Sequence, residues 1–157
     1  MDDICNYANR PLDFILRYVR RNPIAHGAIL LCVLGAVACS IGTQYGVKNL
    51  VDTLAGGPDV GTAVWAAFLV LFTLIAADNL LWRVASYVAC GTFVRVTGAL
   101  RRDLFRHLTG HAPGFFVDRQ PAAFTSRVTA TSNALFTIEN MLIWNVIPPC
   151  VATIGAV

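Results

Sequence analysis

The chain has 157 residues, 56% of them hydrophobic and 13% charged, with a formal net charge of +3. Its mean hydropathy is +0.61. Soluble domains carry about 25% charged residues, so the composition argues against a water-exposed globular domain, and the length suits two or three membrane spans with their connections.

Residues 1–23 read as a tail and a short amphipathic helix. Leu12, Ile15, Leu16 and Val19 recur at helical spacing, while Asp13, Arg17, Arg20 and Arg21 take much of the remainder. Pro11 suits a helix start. Asn22-Pro23 interrupts the path, because the residue before proline is pushed out of the α region. Such a helix lies along a membrane interface; the plainer alternative is a basic juxtamembrane segment.

From Ile24 to Val47 there is no Lys, Arg, Asp or Glu. At about 1.5 Å rise per residue this run crosses a hydrocarbon core of about 30 Å. The first span is placed at about 24–48. Gly42 and Gly46 have the spacing of a close helix–helix contact. The outer connection, 49–60, holds Ala55-Gly56-Gly57-Pro58, which is turn chemistry. A secretory signal ending near Cys39 is the rival reading of this region. The long preceding tail and the second apolar run just downstream speak against it.

Val60 to Ala77 is also uncharged, and the second span is placed at about 61–83. Asp78 and Arg83 form a candidate polar pair, lining a transport path or bracing the structure, since ionisable groups inside a membrane face a bundle interior or a wet path. Trp82 is a candidate interfacial anchor. The chain then continues without proline to Pro113. About fifty residues of helix reach about 75 Å, so the part up to residue 112 stands clear of lipid. Arg102 and Arg106 repel at four-residue spacing, and Asp103 offers local relief. His107 and His111 share that spacing, but no third ligand converges on them, so no metal site is expected.

Residues 113–132 form a connection. Pro113 and Gly114 turn the chain, Phe115 and Phe116 offer a loop anchor, and Pro121 to Ser132 suits a short helix with Phe124 and Val128 on one face. A third span starts at about 133 and is still apolar at Val157, so the chain reads as the N-terminal piece of something longer. The five cysteines read as small buried hydrophobes rather than a disulfide or zinc framework. Arginines gather before the first span and after the second, while Lys48 stands alone among the basic residues between them. Basic residues collect on the cytoplasmic side. The N-terminus and the 83–133 region are therefore expected inside, and no nucleic-acid partner is expected.

Leu100 to Leu108, then Phe115-Phe116-x-Asp118-Arg119, then Thr125 to Thr129 resemble the first intracellular loop of ATP-binding cassette (ABC) exporters. The resemblance covers nearly the whole chain. It implies an all-α membrane protein of the six-helix exporter type: an interfacial elbow helix, two long transmembrane helices with a cytoplasmic extension and coupling helix, and the start of a third span. It implies a coupling helix touching a nucleotide-binding domain, carried here onto Pro121, Phe124, Ser126, Arg127, Val128 and Thr131. Ala122-Ala123 and Thr131 stand where that family commonly has acidic groups, which removes its usual polar contacts from this loop. The implied partners are the lipid bilayer, the remaining transmembrane helices, a nucleotide-binding domain and a second half-transporter, identical or different. The implied location is a bacterial inner membrane. The sequence has no G-x-x-x-x-G-K-[ST] stretch and no catalytic residues, so this segment is expected to bind no cofactor. ATP and Mg2+ belong to the domain outside it. The alternative is a membrane module of a non-ABC sensor, channel or membrane enzyme subunit.

Overall fold

The computed structural model describes residues 11–56, 61–110 and 121–155. In chain order the helices are α1 (Pro11–Arg20), α2 (Pro23–Ala55), α3 (Gly61–Thr109), α4 (Pro121–Met141) and α5 (Ile147–Gly155), with a π-helical turn, Leu142–Val146, joining the last two. There is no strand among the described residues. Three helical stretches are long and apolar enough to cross a membrane: Pro23–Ala55, Gly61–Thr109 and Ala123–Gly155. Large apolar side chains such as Leu31, Trp65, Leu69 and Phe72 are exposed along them, as lipid-facing residues are.

Local chemistry explains where the helices stop. At the end of α1 the amides of Arg21 and Asn22 bond back three residues, to the carbonyls of Tyr18 and Val19, both at 3.2 Å. Pro23 has no N–H to satisfy and opens α2; the Asn22 carbonyl accepts from the His26 amide at 3.2 Å. Nothing breaks α2 until Gly56. Residues 49–55, expected in the outer connection, are helical, and Thr53 caps its own ladder through a 2.7 Å bond to the Asn49 carbonyl. α3 runs unbroken through Gly91 and Gly98, because an isolated glycine costs only about 1 kcal/mol in a helix. The Thr109 hydroxyl closes its last turn by donating to the Phe105 and Arg106 carbonyls.

The return helix differs from expectation. Residues 121–132 are not a separate short helix before a third span but the first turns of one helix running to Met141. The reason is plain in the chain: no proline or glycine occurs between Ala122 and Ile147. The break comes later. Pro148 and Pro149 supply no amide, and a proline ring clashes with the carbonyl four residues back. The π turn at Leu142–Val146 widens the ladder just ahead of them.

The chain divides into two compact units. One comprises residues 1–26 and 89–142. Its core is Tyr18, Val96, Leu100 and Leu135, with Phe14, Ile15, Ala99 and Leu104 packed around it. The sequence pattern gave α1 a stripe through Leu12, Ile15, Leu16 and Val19. In the structure the stripe rotates: Tyr18 is 4% exposed and Leu16 is 47% exposed. Phe14 meets Tyr18 edge-on at 5.2 Å. The other unit comprises residues 27–88 and 143–157. It is an antiparallel hairpin of α2 and the first part of α3, with α5 alongside. Ile29, Val33, Ala36, Val37, Ala67, Ala85 and Ile143 are its buried apolar residues among the described ones.

Candidate functional site

In the second unit, small residues let α2 and α3 approach. A Cβ on Gly46 would lie 3.2 Å from Leu71 Cδ1, and one on Gly42 would lie 3.4 Å from Leu74 Cδ2. Gly35 likewise faces Leu81 at 3.2 Å. These pairs set an antiparallel register in which Asp78 falls level with Ala38 and Cys39, midway along α2. Ser40, Thr43, Gln44, Val47, Ile75 and Asp78 line a pocket of about 390 Å³ there. Oδ1 of Asp78 is buried and has no hydrogen-bond partner. No ion pair joins Asp78 to Arg83 among the described residues; Arg83 is exposed, five positions on and around the helix. The Thr43 hydroxyl donates to the Cys39 carbonyl at 2.9 Å, so its oxygen reaches the pocket as an acceptor. Trp82 packs on Trp144 with ring centroids 5.6 Å apart.

In the first unit, α4 carries the residues expected to couple. Phe124 and Val128 are half-buried; Ser126, Arg127 and Thr131 are exposed. The Thr131 hydroxyl donates to the Arg127 carbonyl at 2.9 Å, which ties it to its own helix. Val128 joins Arg101, Arg102, Phe105, Arg106 and Thr109 around a basic cleft of about 540 Å³. Pro121 begins the helix. Phe115 and Phe116 lie outside the described residues, as does His111.

Two polar constellations in this unit were not expected from the sequence. Asp103 does not relieve Arg102 and Arg106. Its carboxylate accepts from the Tyr18 hydroxyl at 3.1 Å and meets the Arg21 guanidinium at 3.6 Å, because it sits on the side of α3 that faces α1. Burial, reinforced by the Asp103 charge and hydrogen bond, pushes the Tyr18 phenol up to about 12. Alongside, Arg101 donates to Ser132 Oγ at 2.9 Å and to Asn133 Oδ1 at 3.3 Å, joining α3 to α4.

The second constellation is His26 and Glu139, whose side chains are 10% and 4% exposed with Nε2 and Oε1 3.6 Å apart. The Asn22 carbonyl lies 2.9 Å from Nδ1. A carbonyl only accepts, so the proton of the ring sits on Nδ1, and one further proton between Nε2 and Oε1 would complete the pair. The signal was present in the sequence: the only glutamate lies in the third apolar segment and a lone histidine in the first.

No group of three or more His, Cys, Asp or Glu able to hold a metal occurs among the described residues. The arrangement offers a polar recess in an apolar hairpin and, in the first unit, a helix that presents Ser126 and Arg127 to its surroundings. No curated protein and no solved structure matches the chain. The family model described as the ABC transporter transmembrane region matches residues 27–154, and the chain, an integral membrane protein with three helices of spanning length, belongs to that family.

Proposed function

We propose that the chain forms part of the substrate path of an ATP-driven exporter and links it to a nucleotide-binding domain through the start of α4. The observation that carries this is the length of α3. Its 49 residues extend about 73 Å at about 1.5 Å each, more than twice the hydrocarbon thickness of about 30 Å. The excess stands in water, and it carries Arg95, Arg101, Arg102 and Arg106, the charge sign of cytoplasmic segments. The tip of α4 opens beside it, offering the half-buried Phe124 and the exposed Arg127 to a partner surface. The ATPase domain supplies hydrolysis; the helices of this chain supply the lever, and alternating access is rigid-body motion of helix bundles. A second half-transporter completes the path, and the N-terminus lies on the cytoplasmic side of a bacterial inner membrane.

The test is coupling in the assembled transporter, reconstituted in proteoliposomes. Phe124→Ala is expected to leave insertion and ligand binding intact while ligand-stimulated ATP hydrolysis and transport fall together. Wild-type stimulation and wild-type transport at equal protein level would remove Phe124 from the contact. Movement of no compound on ATP addition, in any variant, would remove the exporter reading itself.

A further inference from the structure

We propose that the recess around Asp78 binds the cationic head of a ligand, an ammonium or guanidinium group; the inference rests on the transporter reading above and specifies what that path accepts. Three observations converge. First, Asp78 is the one charged side chain lining the pocket, and its Oδ1 is buried with no hydrogen-bond partner. A buried carboxylate oxygen left without a donor is destabilising, so a ligand that supplies one gains from the contact. Second, neither neighbouring helix supplies a counter-charge. α2 has no Lys or Arg between Pro23 and Val47, its His26 faces Glu139, and Lys48 and Arg83 are absent from the lining. Third, the other polar groups are acceptors or adaptable. Thr43 has spent its proton on the Cys39 carbonyl, while Ser40 and Gln44 add a hydroxyl and an amide on the same face of α2.

The recess thus carries one carboxylate and no cationic side chain, and is walled by Val47 and Ile75. An anion is repelled by Asp78 there, and a neutral apolar group leaves Oδ1 as it is. A cation with two or three N–H donors and an apolar tail fits the charge, the unpartnered Oδ1 and the apolar flanks together. The volume of about 390 Å³ is within the range of small-molecule sites.

The experiment is equilibrium binding of dansylcadaverine, a fluorescent primary amine, to the detergent-solubilised assembled transporter, with its N-acetyl derivative as the neutral probe. The amine is expected to bind at least tenfold more tightly than the acetyl form, matching the worth of a charge-assisted hydrogen bond. Asp78→Asn is expected to weaken the amine at least tenfold and leave the acetyl form unchanged. Thr43→Val and Gln44→Leu, which keep the carboxylate, are expected to weaken the amine several-fold and serve where Asp78→Asn does not fold. In a cysteine-free background, Thr43→Cys is expected to react with an aqueous thiol reagent and to be protected by the amine. Equal affinity for the two probes, wild-type amine affinity in Asp78→Asn, no binding by wild type, or an unreactive Cys at 43 because another helix fills the recess would each overturn the proposal. Binding needs no ATP, so a failure of coupling in the proteoliposome assay is read separately.

Discussion

Replacing Tyr18 by Phe deletes one hydroxyl and leaves the ring in place. That hydroxyl donates to Asp103 at 3.1 Å. Hydrogen bonds to charged groups contribute about 1.5–3 kcal/mol, but the Asp103 side chain is 39% exposed, so water takes over part of the acceptor's loss. The expected cost is about 1.4 kcal/mol, a factor of about ten in the equilibrium holding α1 against α3. Hydrogen exchange of the α1 amides reads that equilibrium as local opening. In the intact protein, amides of residues 11–20 are expected to exchange about tenfold faster in Tyr18→Phe, with the middle of α3 unchanged. Tyr18→Ala also removes the ring from Val96, Leu100 and Leu135, and large-to-small changes at buried aromatics cost about 3–5 kcal/mol, so α1 should lose its protection. Arg21 adds little, since exposed ion pairs contribute about 0–1 kcal/mol. The pH dependence follows from the raised phenol. Its contribution is fully present below about 10 and is lost as pH rises through about 12. Unchanged α1 exchange in Tyr18→Phe would show that lipid contact alone holds the helix, and the reasoning from Asp103 would be wrong.

Other outcomes follow from the same geometry. Gly46→Val places a branched side chain where Leu71 Cδ1 is already 3.2 Å from a Cβ. It should lower the thermal midpoint of the solubilised protein, as overpacking costs about 1–3 kcal/mol, while Gly27→Ala, with nothing within 4 Å, meets no such crowding. Glu139→Leu alone strands His26, and His26→Leu alone strands Glu139. The double variant should be more stable than the sum of the two single losses predicts, because removing both partners of a buried pair leaves no orphan; additive losses would deny the pairing. A single cysteine at position 57 should label from outside intact cells and one at 119 only from the cytoplasm, and outside labelling at 119 would overturn the charge-based topology.

The helices were legible because membrane spans announce themselves by composition. Ile24 to Val47 and Val60 to Ala77 have no Lys, Arg, Asp or Glu, and the structure makes Ile24–Val47 and Gly61–Ala77 helical. What sequence reasoning handled poorly was the ends. It closed the first span where Lys48 and Asp52 reintroduce charge, but charge marks the edge of lipid, not the end of hydrogen bonding, and α2 continues to Ala55. The boundary expected near residue 132 follows the apolar run that begins just beyond it, but a change of polarity does not end a helix. Threonine and serine in a helix can return their protons to the carbonyl three or four residues back, and Thr131 and Ser132 do so. The break is instead beside Pro148, where the missing amide leaves the backbone no choice.

The polar sites were harder to read, because a side chain's partner lies on another helix. Asp103 sits between Arg102 and Arg106 in the written chain, so local pairing was the natural expectation. On a helix, however, adjacent residues point about 100° apart. Asp103 shares the side of α3 that meets α1, and its partners are Tyr18 and Arg21. Glu139 and His26 carry the same lesson further. Each is isolated among apolar neighbours in sequence, and each becomes intelligible only when paired. Asp78 is a further isolated acid in the apolar segments, and the described residues give its Oδ1 no hydrogen-bond partner. An acid in an apolar segment needs something to meet it. Glu139 has a histidine from the same chain at 3.6 Å, whereas the half-buried Asp78 has no ion-pair partner among the described residues and lines an open recess. That difference makes Glu139 the bracing acid and leaves Asp78 as the group proposed to receive a ligand.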